Sequence, residues 1–108
     1  MPQIDLKYSN DLKLEIPELF QSIEEAINKI DHTAGACKSR AYPSPVYLHT
    51  HFYLRIAMLK KPYRDENFMN KCLKRIEEMV KPILPEGCYY SVELVFSSEY
   101  YFTSRIEK

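Results

Sequence analysis

Twice along this chain a run of alternating apolar and polar residues is followed by a segment whose apolar residues recur every three or four positions, and then by a second alternating run. Ile4, Leu6 and Tyr8 alternate with Gln3, Asp5 and Lys7, which is the period of a half-buried strand. Ile16, Leu19, Phe20, Ile23, Ala26, Ile27 and Ile30 then line one side of a helix, with Glu18, Gln21, Glu24, Glu25 and Lys29 on the other. Residues Ala36 to Tyr42 return as a strand. The second half repeats the pattern: a strand from His51 to Lys60, a helix striped by Phe68, Met69, Cys72, Leu73, Ile76, Met79 and Val80, and a strand from Cys88 to Phe96. The offset between the halves is roughly fifty residues.

A strand, a helix and a strand in that order demand a right-handed crossover and a parallel strand pair in each half. Both helices have a single apolar face, so both must cover one side of the same sheet. The expectation is an α+β fold: a duplicated β-α-β, with a four-stranded mixed sheet and two helices on one face. We expect one domain over residues 1–108, with halves of about 1–43 and 46–108. Pro17 suits the first turn of the first helix. The segment Asp31 to Gly35 breaks that helix, and Pro43-Ser44-Pro45 is expected to stop regular structure at the midpoint. Residues Lys61 to Asp65 make a turn, and the second helix should end near Lys81-Pro82. The tail from Ser97 to Lys108 carries a weak signal for one more short strand. The uncovered sheet face would hold Tyr53, Arg55, Leu59 and Val95, too apolar in places for open water, which calls for self-association.

Composition narrows the partners. Lysine plus arginine equals aspartate plus glutamate at 15 each, and the pI is about 6.8, so no nucleic-acid or anionic-membrane partner is expected. No apolar run approaches a membrane span, and no signal-peptide pattern opens the chain, so a cytoplasmic location is the expectation. Cys37, Cys72 and Cys88 are odd in number and far apart, and read as reduced thiols rather than a disulfide framework or zinc site. His49 and His51 share a strand face but lack a third ligand at suitable spacing. The tyrosine-rich stretches Tyr89-Tyr90 and Tyr100-Tyr101-Phe102 read as core and intersubunit contacts.

Pro2 is different in kind. An internal proline has neither an N–H nor a basic lone pair. If an aminopeptidase removes Met1, the chain begins with a secondary amine pinned at the end of a strand. Met followed by Pro is also a common start, and proline at the beginning of a strand costs little.

A duplicated β-α-β with proline second resembles the tautomerase superfamily. The opening Met1 to Ser9, Pro17 to Phe20, Lys38 to Arg40, Arg64 just after the third strand and Ser91 to Leu94 resemble, in order and spacing, its 5-carboxymethyl-2-hydroxymuconate isomerase branch. The resemblance covers nearly the whole chain. It implies a homotrimer without cofactor or metal that moves a proton on an unsaturated 2-oxo acid in aromatic-compound catabolism. By the same resemblance Pro2 is the proton shuttle, Arg64 matches a substrate-holding arginine, and Lys38 and Arg40 fall at the basic positions of the second strand. Lys38 stands where the family has arginine, and a lysine is a point charge without the planar two-pronged grip of guanidinium on carboxylate. Either Arg40 takes that role or the grip is weakened. The glycines expected before Arg64 are replaced by Lys60-Lys61-Pro62-Tyr63, and the connection between the second and third strands is shorter.

The chemistry so implied needs a base of near-neutral pKa and a cation where enolate charge develops. A terminal amine titrates at about 7.7–8.0, and burial or neighbouring cations lower it further. Lys38, Arg40 and Arg64 are the candidate partners for the carboxylate and the 2-oxo oxygen. Taken singly, Lys38 and Arg40 also fit a solvated strand face, and Arg64 fits a turn residue paired with Asp65 or Glu66. Cys37, beside Lys38, reads as a buried spectator. The competing reading is a catalytically weakened oligomer of the same fold that serves as a small-molecule binding or signalling module.

Overall fold

The computed structural model describes residues 1–107. Its elements run β1 (Gln3–Ser9), α1 (Ile16–Ile30), β2 (Lys38–Ser44), β3 (His51–Met58), α2 (Glu66–Val80), a short 3-10 turn (Lys81–Ile83) and β4 (Tyr89–Phe96). The sheet order is β2-β1-β3-β4. β1 with β2 and β3 with β4 are parallel, while β1 and β3, one from each half, pair antiparallel through the centre.

Alternation decides which face is covered. Ile4 and Leu6 of β1 and Phe52, Leu54, Ile56 and Met58 of β3 are buried beneath the helices. Leu19, Ile23, Ala26 and Ile27 of α1 and Cys72, Ile76 and Val80 of α2 close over them. The first helix begins at Ile16 and has Pro17 in its first turn, where the missing N–H falls at a position that requires no intrahelical bond. The second starts on Asp65, whose carboxylate accepts the Phe68 N–H at 2.9 Å. No helix among the described residues is long and apolar enough to cross a membrane.

Three expectations are corrected. β2 runs through Pro43 to Ser44 instead of stopping. It is an edge strand, and the Lys38 N–H donates to the Pro2 carbonyl while the Ser44 carbonyl accepts from Asn10. Even-numbered residues therefore face β1, and the N–H that Pro43 lacks falls on the open edge. β3 ends at Met58, not Lys60. The tail forms no strand between residues 97 and 107; Ser97 extends the β4 ladder by one bond to Met58, and Tyr101 turns back to accept from Gln3 Nε2 at 3.1 Å.

The face without helices is more polar than expected. In register across it stand Lys38, Arg40 and Tyr42, then Gln3, Asp5 and Lys7, then Tyr53, Arg55 and Ala57, then Ser91, Glu93 and Val95. Arg40 pairs with Asp5 at 3.1 Å, and Glu93 accepts from both the Tyr53 hydroxyl and Arg55. Large apolar residues left exposed include Tyr42 on this face, Val46 and Leu48 in the connection after β2, and Tyr100, Phe102 and Ile106 in the tail.

Candidate active site

The antiparallel pairing of β1 with β3 brings the beginnings of β1 and β2 to the same sheet end as the ends of β3 and β4. The connection after α1, residues 31–37, and the turn before α2, residues 59–65, flank that end. Pro2 is fully buried there, with Met1 about 40% exposed above it. Burial lowers the pKa of the Met1 amine below its ordinary value, and the charges of Arg64, Lys61 and Lys38 lower it further, with Cys37 opposing them. Each cation makes a second positive charge less favourable.

Arg64 is the most constrained of the predicted residues. Both it and Asp31 have side chains about 3% exposed. Its Nε and Nη2 donate to Asp31 Oδ2 at 3.0 and 2.7 Å, and Nη1 donates to the Leu59 carbonyl at 2.7 Å. The partner is thus Asp31, at the C-terminal cap of α1, and not the adjacent Asp65 or Glu66. Asp31 also accepts from the Thr33 N–H and hydroxyl and from the Tyr63 hydroxyl. Burial works to raise its pKa, yet the hydrogen bonds from Thr33, Arg64 and Tyr63 outweigh it and hold the carboxyl well below the usual range. Tyr63 and Phe68 pack edge to face at 6.1 Å, and the guanidinium lies 5.8 and 6.0 Å from their ring centres.

Lys38 is exposed at the first position of β2, its backbone tied to Pro2. Arg40 lies two residues further along. It bonds Asp5 at 3.1 Å and the Lys38 carbonyl at 2.7 Å, and also Gln3 Oε1. The structure therefore brings Lys38 and Arg64 to the sheet end that bears the amino terminus, whereas Arg40 is joined to the central polar face. Lys61 enters the group from the turn, where the Arg64 N–H donates to its carbonyl at 2.9 Å and Pro62 fixes the second turn position. Cys37 is half-buried, with burial and then Glu24 pushing its thiol up to about 11. All three cysteines are free.

Asp31, Thr33, Tyr63 and Lys61 are the residues that sequence reasoning passed over. The Asp-x-Thr of residues 31–33 is a local signal for a side chain capping its own turn. Nothing local announces that the same carboxylate binds an arginine 33 residues later. A groove of about 550 Å³ lined by Asp11, Lys13, Thr50, Glu86 and Cys88 opens at the opposite end of the sheet. It gathers no cluster of cations and does not include the terminal amine. Among the described residues no three His, Cys, Asp or Glu side chains come together as a metal site requires.

A scan against protein-family models found no match. A search of curated proteins found none either. Among solved structures, a 5-carboxymethyl-2-hydroxymuconate isomerase from Deinococcus radiodurans R1 superposes with a TM-score of 0.83 at 19% identity, covering 98% of this chain and 90% of that one. A 5-carboxymethyl-2-hydroxymuconate delta-isomerase gives 0.72 at 18% identity, covering 97% and 88%. A fused 4-OT described as a symmetric trimer gives 0.69 at 7% identity, covering 95% and 93%. Agreement over nearly the whole of each chain at such low identity is agreement of backbone path, element order and sheet pairing. The chain has the fold of the tautomerase superfamily, and the structures it resembles include the 5-carboxymethyl-2-hydroxymuconate isomerases.

Proposed function

We propose that this chain, once Met1 is removed, is a cofactor-independent isomerase that shuttles a proton on a small unsaturated 2-oxo acid, with Pro2 as the general base and acid. The observation that carries this reading is the setting of the amino terminus. Pro2 is fully buried at the start of β1, at the sheet end flanked by residues 31–37 and 59–65, and the Met1 amine that precedes it has its pKa lowered by burial and then by Arg64, Lys61 and Lys38. Loss of Met1 would leave the Pro2 secondary amine at the same sheet end, where burial and nearby cations disfavour the protonated form and leave a lone pair that can take a proton from the carbon or hydroxyl of an enol and return it to another atom. The rigid pyrrolidine ring holds its lone pair in one direction, which limits the entropy lost on positioning. Of the candidate cations, Lys38 has no carboxylate partner among the described residues and supplies positive potential for an anionic substrate and its enolate, while Arg40 and Arg64 are paired with Asp5 and Asp31.

The solved structures named as 5-carboxymethyl-2-hydroxymuconate isomerases support a muconate-like acid as the substrate class, and hence a place in aromatic-compound catabolism. The neighbour described as a symmetric trimer supports a homotrimer, with the sheet faces that lack helices turned toward one another. The alternative, a weakened oligomeric binding module, is favoured by one observation: both arginines already hold carboxylates.

The deciding experiment is ketonisation of phenylenolpyruvate by protein whose mass shows loss of Met1, beside Pro2→Ala. Turnover that collapses in the variant supports the proline base. Turnover absent from the unsubstituted protein rejects it in favour of the binding module.

A further inference from the structure

We propose that the substrate carboxylate is anchored by the ammonium of Lys61, assisted by Lys38, and not by the guanidinium of Arg64. The proposal rests on the proline-base reading of the same site.

The reason is how the cations at this end are already engaged. Arg64 and Asp31 together carry no net charge, and three of the guanidinium's N–H groups are taken, two by Asp31 and one by the Leu59 carbonyl. The two N–H groups that remain are on a side chain about 3% exposed, so for Arg64 to turn a two-pronged edge to an incoming carboxylate it would have to leave Asp31, stranding a carboxylate that is about 3% exposed as well. Removing one partner from a buried pair is strongly unfavourable, and a substrate contact of the same kind would only restore what was lost. Arg40 is held in the same manner by Asp5, Gln3 and the Lys38 carbonyl.

Lys61 has the opposite character. Its ammonium has no carboxylate within 4.0 Å among the described residues. It has one long contact, 3.4 Å to the Thr33 hydroxyl, and lies 5.9 Å from the centre of the Tyr63 ring. The Thr33 and Tyr63 hydroxyls donate their protons to Asp31, and of the two only Thr33 accepts from the ammonium, at the long distance of 3.4 Å. With three donors and one weak partner, the group retains most of its hydrogen-bonding capacity. The residue is half-buried, which confines it, and the turn that bears it is pinned from both sides: the Arg64 N–H bonds the Lys61 carbonyl and the Arg64 side chain bonds Leu59. Its charge lowers the pKa of the Met1 amine, as does that of exposed Lys38. Two cations without carboxylate partners among the described residues therefore stand at the sheet end that bears Pro2, Lys38 through its backbone bond to the Pro2 carbonyl and Lys61 on the turn between β3 and α2. A 2-oxo acid whose reacting carbon lies at the amine would place its carboxylate between them. Lysine grips without a preferred plane, so the site suits compact 2-oxo and 2-hydroxy-enoic acids over substrates chosen by a bidentate clamp.

The test compares chain lacking Met1 with its Lys61→Met and Lys61→Arg variants. Phenylpyruvate binding is measured by titration calorimetry beside its neutral amide, and phenylenolpyruvate turnover is measured in parallel. In Lys61→Met we expect phenylpyruvate to bind about tenfold more weakly, as for loss of a charged hydrogen bond. Amide binding should be unchanged, and KM should rise while kcat moves little. Lys61→Arg should recover most of the loss. Unchanged phenylpyruvate affinity in Lys61→Met, an equal loss for acid and amide, or no binding by the unsubstituted chain would overturn the proposal. Absence of turnover with the acid preference intact would reject the proline base while leaving the anchor standing.

Discussion

Replacing Asp31 with leucine leaves the guanidinium of Arg64 buried without its counter-charge. Both side chains are about 3% exposed and their shortest contact is 2.7 Å, so solvent cannot compensate without the turn opening. Breaking a pair of this kind costs roughly 3–5 kcal/mol, whereas replacing both members by apolar residues of similar volume is often close to neutral. Asp31→Leu and Arg64→Met should therefore each lose about 3–5 kcal/mol, out of a total of roughly 5–15 for a domain of this size. The double variant should lose much less than the sum. Urea unfolding followed by circular dichroism measures all four proteins, and the m-value reports whether the unfolded reference has changed. The acid limb gives a second readout. Because the folded pKa of Asp31 lies below its ordinary value of 3.8, its stabilisation is fully present above that value and is lost as pH falls toward the folded one. Asp31→Leu should lack this part of the acid sensitivity. Single losses below about 1 kcal/mol, or single losses that add within about 0.5 kcal/mol in the double variant, would refute the buried-pair argument.

Asp65→Ala should cost about 1 kcal/mol by leaving the Phe68 N–H without its cap, with Asp65→Ser recovering most of it, as read from the urea midpoint. Cys37, its thiol pushed up to about 11 by burial and Glu24, should alkylate at pH 8 on the order of a hundredfold more slowly in the folded chain than in the unfolded one, as measured by mass spectrometry. Equal rates in the two states would refute that environment. Since this folded pKa is raised above the ordinary thiol value of 9.0, the group also withdraws stability as pH rises past 9.0, which an alkaline unfolding series in Cys37→Ser would show as a shallower decline.

The elements were readable because each is encoded by its own residues. Ile16 to Ile30 has only one way to hide its apolar stripe, and α1 spans those residues. The strand around Phe52, Leu54, Ile56 and Met58 has its alternation, and all four side chains are buried. Pro43 misled for a reason that is not local: a proline interrupts a ladder only if its nitrogen points at a neighbour, and that depends on β2 lying at the sheet's edge. Leu59 and Lys60 alternate as well as the residues before them, but the chain must bend there to carry Arg64 to Asp31.

The candidate site divides in the same way. Pro2, Lys38 and Arg64 stood out by type and position, and folding brings Lys38 and the turn that bears Arg64 to the sheet end where the chain begins. What no local pattern contains is which cations are already engaged. Asp31 lies 33 residues before Arg64, and Asp5 lies 35 residues before Arg40. These pairs exist because the parallel crossover places β2 beside β1 and the antiparallel centre brings the turn after β3 to the end of α1. The sequence by itself determined the periodicities, and through them two helices on one face of a duplicated sheet, because burial of an apolar stripe is settled over a few residues. Only the tertiary structure decided the strand order, the commitment of Arg40 and Arg64 to carboxylates and the opening left for Lys61. A charge becomes available or spent according to what the fold sets within a few ångströms of it, and distance along the chain carries no record of that.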